Sequence, residues 1–127
     1  MNGIKKEIGW VVHYVFGDDK YPNSTNAHTH GFETKYKHLN IQICLNIDPQ
    51  IVNSIFWGIS RLLDSGKKFS PEKKYANIIE DMNVMFAYAK SNNELVLRLI
   101  LPDEKGNLRS EMKIFKEQWD GVIPHLT

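Results

Sequence analysis

The run Leu39-Asn40-Ile41-Gln42-Ile43-Cys44-Leu45-Asn46-Ile47 alternates apolar and polar side chains without a break, and a helical pattern begins at the next residue. In a strand, residues two apart share a face. Leu39, Ile41, Ile43, Leu45 and Ile47 therefore form an apolar face that has to be covered. Asp48 is suited to a helix N-cap and Pro49 to the first helical position. Beyond them Ile51, Ile55, Ile59, Leu62 and Leu63 fall on one stripe, flanked by Val52 and Phe56, and Gly66 supplies the stop. Burying five or six such side chains is worth on the order of 10 kcal/mol before entropy is subtracted. A strand that needs a cover, joined directly to a helix able to provide it, requires a sheet with a helix packed on one face.

The rest of the chain reads around that unit. Trp10-Val11-Val12-His13-Tyr14-Val15-Phe16 predicts a strand, followed by a polar loop from Gly17-Asp18-Asp19 through Thr25. Asn26 to Thr34 predicts a second strand, and Lys35-Tyr36-Lys37-His38 a charged link. Ser70-Pro71-Glu72 predicts the start of a short helix reaching about Ile79. Residues 82–90 fit either a continuing helix or a strand. The strand is preferred because Met82, Val84, Phe86 and Tyr88 alternate with smaller residues ahead of the turn at Ser91-Asn92-Asn93-Glu94. Leu95, Leu97, Leu99 and Leu101 predict the last strand, and a short helix is expected around Glu111 to Trp119. The expected fold is α+β: a mostly antiparallel sheet of about five strands with one main helix on one face, in a single domain over residues 1–127.

The 127 residues carry 16 Lys and Arg against 15 Asp and Glu, a net charge of +1. The charge is even along the chain, with six basic and six acidic residues in 1–64 and ten and nine in 65–127. Nucleic-acid binding by counterion release needs a concentrated basic surface, and none is legible. Lys67, Lys68, Lys73 and Lys74 read as a solvated loop and helix start. The most apolar stretch is broken by Asp48-Pro49, so no membrane span is expected. Met1 to Glu7 has no apolar core of a secretory signal, and the lone Cys44 permits no intrachain disulfide. Both fit a cytoplasmic protein. Asn23-Ser24-Thr25 is then a plain turn.

His28-Thr29-His30 is the unusual polar feature. Its two imidazoles share one strand face, and Ala27 and Thr29 point the other way. Two registers against the 39–47 strand are open. In one, the histidines lie among the isoleucines. In the other, they join Gln42, Cys44 and Asn46 on the far face, with Ala27, Thr29 and Gly31 under the helix. The second is preferred, because burying an unpartnered polar group costs about 1–3 kcal/mol. On that face the candidate ligand-binding residues are His13, His28, His30, Gln42, Cys44 and Arg98.

His28 and His30 are also candidate ligands for a divalent metal such as zinc, with His13, His38 or Glu33 as the third donor. Cys44 opposite His30 would be the nucleophile of a histidine-assisted reaction, although a lone cysteine in an apolar strand is ordinarily a packing residue. Asp103 after the last strand reads as a turn-former. Trp57 points away from the helix stripe. It is expected to lie beneath a tail of the chain, with Trp119 or Phe115 as cover, or to contact another protein.

Gly9-Trp10-Val11-Val12, Ala27-His28-Thr29-His30-Gly31-Phe32, Lys37-His38-Leu39, Gly66-Lys67-Lys68-Phe69 and Leu99-Ile100-Leu101-Pro102-Asp103 with Gly106 together resemble the domain of unknown function 4262 family of small, mostly bacterial proteins. The likeness runs over nearly the whole chain. Where members often carry Trp-Pro-Asp, this chain has Leu101-Pro102-Asp103. The resemblance implies a cytoplasmic α+β domain and assigns no reaction. Two functions are expected from the residues. The first is a non-enzymatic binding or protein-interaction domain, with a homodimer through the mixed face or Trp57. The alternative is a metal-dependent or histidine-assisted, hydrolase-like enzyme centred on His28 and His30.

Overall fold

A computed structural model of the chain describes residues 9–16, 25–91 and 93–123. The loop predicted after the first strand and Asn23-Ser24 lie outside them. The main helix, α2 (Pro49–Asp64), is capped by the Asp48 carboxylate accepting from the Gln50 N–H at 2.8 Å. It ends at Ser65, with Gly66 at φ +96 and the Lys67 N–H returning to the Leu62 carbonyl. Its buried face is Val52, Ile55, Phe56, Ile59, Ser60 and Leu63. Ile51, assigned to the stripe, is 54% exposed. Ser60, not assigned to the stripe, is buried, with its hydroxyl 2.5 Å from the Tyr36 hydroxyl.

The covered strand is β3 (Ile41–Leu45). It lies inside a six-stranded sheet with β1 (Val11–Phe16), β2 (Thr25–His30), β4 (Lys74–Ile79), β5 (Met82–Ser91) and β6 (Glu94–Ile100), in the order β1-β2-β3-β6-β5-β4. Every pairing is antiparallel except β3 with β6. One face lies under α2 and carries the main core: Ala27, Ile41, Ile43, Leu45, Leu97, Leu99, Val84 and Phe86 against Val52, Ile55, Phe56, Ile59 and Leu63. Ala27 pairs with Ile43 and His28 with Gln42, so the second register is the one adopted. Thr29 is fully buried on the helix side, where its hydroxyl donates to Asn40 Oδ1 and accepts the Ile41 N–H.

Three elements differ from expectation. The second strand stops at His30 rather than Thr34, because Gly31 turns to φ 110 and a five-residue helix, α1 (Phe32–Tyr36), follows. A Cβ at Gly31 would sit 2.4 Å from the Gly9 carbonyl oxygen, so only glycine fits this approach. The helix predicted from Ser70 is instead a loop leading into strand β4. Glu72 adopts φ 67, outside the helical region, and its N–H donates to the Phe86 carbonyl. The ring beside Trp57 is Trp10, at 4.9 Å between centroids, and not Trp119, which packs on the opposite side of the sheet.

The far face is divided. Over β5 and β6 it is covered by the C-terminal segment, α3 (Lys113–Lys116) and the 3-10 turn Glu117–Trp119. There Leu108, Trp119 and Val122 pack on Met85, Ala87 and Ile100 as a second small core. Gln118 holds the segment in place: its side chain accepts the Leu101 N–H at 2.8 Å and donates to the Leu101 carbonyl at 2.7 Å. The other half of this face, over β1 and β2, carries the histidines.

Candidate metal centre

Register sets the site. His13 on β1 is the direct partner of His28 on β2, and Val11 is the partner of His30. Opposed residues on neighbouring antiparallel strands project to the same side. Strand alternation then adds His30, two residues from His28. His13 is exposed, while His28 and His30 are half-buried. The ring centroids lie 4.1 Å apart for His13–His30, 4.7 Å for His28–His30 and 5.5 Å for His13–His28.

One ring nitrogen from each histidine falls within 4.8 Å of the other two. The Nε2 atoms of His28 and His30 are 3.1 Å apart. Donors at about 2.0–2.1 Å from a tetrahedral ion lie about 3.3 Å from one another. The two imidazoles stand near the spacing of shared ligands, and exposed His13 is the third member of the cluster. His28 Nδ1 is buried and has no hydrogen-bond partner. Burial pushes the His28 pKa down, and the charges of His30 and His13 add to that, opposed by Glu94. Neutral imidazole is the form that ligates a metal.

The remaining sequence candidates separate. Gln42 and Arg98 share the histidine face but are buried, and they hold each other and the C-terminal segment. Arg98 Nε donates to Gln42 Oε1 at 2.7 Å, and Arg98 Nη1 donates to the Gln118 and Asp120 carbonyls. Gln42 Nε2 donates to Asn26 Oδ1 and Ser91 Oγ. These two residues form the boundary between the covered and open halves and not an open ligand surface. Cys44 lies on the same face, half-buried opposite Asn26, outside the cluster of three.

His38 and Glu33 lie outside the cluster of three. Glu33 is exposed on α1, and His38 is buried with Nδ1 donating to the Leu39 carbonyl and Nε2 accepting the Phe69 N–H. Asp103 closes a turn on the N–H groups of Lys105 and Asn107, which lower its pKa. Trp57 is half-buried against the core. His13 was the member hardest to see, since only the β1–β2 pairing places it across from His28.

Among the described residues, the fold and site define a small α+β domain: a mostly antiparallel sheet, one main helix over one face, and three convergent histidines on the other. The chain belongs to the DUF4262 family, a domain of unknown function, whose model matches residues 5–97. The histidines lie inside that span and the C-terminal cover beyond it. No curated protein and no solved structure matches the chain. Among the described residues no helix is long and apolar enough to cross a membrane.

Proposed function

We propose that this chain is a metal-binding domain that holds a divalent transition ion, zinc being the best fit, on His13, His28 and His30. The observation that carries the reading is the convergence of three imidazole nitrogens within 4.8 Å on one open sheet face. The 3.1 Å separation of the His28 and His30 Nε2 atoms supports it, because two imidazole nitrogens aimed at each other that closely can share one ion. Imidazole donors suit zinc, copper, nickel and iron and select against calcium and magnesium. The reading is of a binding domain. Three protein donors leave one position free, the arrangement of catalytic zinc sites, which favours a hydrolytic role as the second reading. The single cysteine fits a reducing compartment such as the cytosol.

Elemental analysis after equilibration with zinc tests the proposal. About one ion per chain is expected, with affinity falling at least about 100-fold in His28→Ala/His30→Ala. Wild-type protein that retains no zinc, or a double variant that keeps it, would refute the proposal. Sedimentation velocity on the same samples tests for a homodimer through the histidine face.

A further inference from the structure

We infer that the free position of this metal site takes the carboxylate of an organic acid whose hydrocarbon part rests on Val11 and Val15. The inference depends on the metal reading above and adds the class of the outer ligand. Val11 and Val15 are 57% and 51% exposed and stand on either side of His13, on its own face of β1. They pair with His30 and Asn26, so the cluster is bordered by two uncovered apolar side chains. Single exposed valines are ordinary on a protein surface. Two flanking one convergent donor set, on the same face and within one strand, form an apolar border to a coordination position.

Charge selects an anion. Neutral imidazoles contribute none, so a divalent ion brings two positive charges to the face. Glu94 on β6 is the carboxylate whose charge reaches His28, and its Oε1 is held by Asn40 Nδ2 at 3.0 Å. None of the three donors carries a negative charge, so a monoanion at the free position is favoured over a neutral ligand. Chloride or hydroxide would satisfy the charge but makes no use of the valines. A carboxylate with an alkyl or aryl group uses both features and gains from apolar contact in proportion to the area covered.

The test is a titration of cobalt-loaded protein with acetate, butyrate and hexanoate, read by the visible absorption of the ion. Affinity is expected to rise about two- to four-fold for each methylene added. Val11→Thr/Val15→Thr, which keeps the branched shape strands favour, should retain about one cobalt per chain and lose the dependence on chain length. Equal affinities along the series, or a chain-length dependence that survives the double substitution, would overturn the inference and leave the metal site standing. Failure of the wild-type protein to take up cobalt would overturn both.

Discussion

At the scale of single residues, the four described histidines divide between His38 and the cluster of three, and the fifth, His125, lies outside the described residues. His38 is a structural crosslink. Its Nδ1–H donates to the Leu39 carbonyl at 2.8 Å, and its Nε2 accepts the Phe69 N–H at 3.2 Å, which fixes one neutral tautomer. Burial, with Lys68 nearby, holds its pKa below the ordinary 6.5. Below 6.5 the unfolded chain takes up a proton that folded His38 resists. The stability it provides is complete above that value and declines as pH falls toward the depressed one. His28 acts in the same direction. The wild type should therefore unfold at lower urea concentration as pH falls below about 6.5. His38→Gln should be about 1–3 kcal/mol less stable at neutral pH, with a shallower pH slope. An unchanged slope would show that His38 protonates as freely in the fold as outside it.

At the scale of elements, the C-terminal segment is a cover secured by two polar anchors and not by a long helix. Gln118 is 1% exposed and satisfies both main-chain groups of Leu101, while Arg98 fastens the carbonyls of Gln118 and Asp120 to the sheet. Gln118→Ala leaves a buried N–H and a buried carbonyl without partners, a loss of about 2–4 kcal/mol. Hydrogen exchange should show the loss at the amides of Leu101 and Ile123, with the β1 amides changed least. A variant whose Leu101 amide stays protected would show that the second core, not the glutamine, holds the segment.

Sequence pattern revealed elements in proportion to how far burial dictated them. β3 and α2 were legible because one face of each is packed and the other is not. β4 was not, because Tyr75, Ile78 and Ile79 fit helical spacing as well as strand spacing, and the pairing with β5 is shifted between Tyr75 and Ile79. The deciding feature, the left-handed backbone at Glu72, leaves no trace in composition. The same limit applied to the site. The shared face of His28 and His30 follows from strand alternation alone. His13 becomes their neighbour only through pairing across a connection of eight residues, and the covering of Arg98 depends on a tail with no strong periodicity.

At the scale of the whole molecule, the three histidines span the edge of the sheet and the strand inside it. Within the described residues, β1 pairs with β2 alone, and β2 is tied onward to β3. His13 stands on the edge strand, and His28 and His30 stand on its neighbour. An ion shared among them therefore crosslinks the last strand to the body of the sheet. An ion that binds the folded state and not the unfolded one would add about 2.7 kcal/mol when free zinc is at 100 times its dissociation constant, or about 10 °C in melting temperature for a domain of this size. His13 is exposed, so His13→Ala should fold with nearly the stability of the metal-free wild type and lose most of the zinc-dependent rise. With zinc, hydrogen exchange should slow at the β1 amides in the wild type and not in His13→Ala. A melting temperature raised equally in both proteins would place the zinc elsewhere. A rise confined to the wild type, with β1 protected, would mark the three histidines as a staple that closes the sheet edge as it binds its ion.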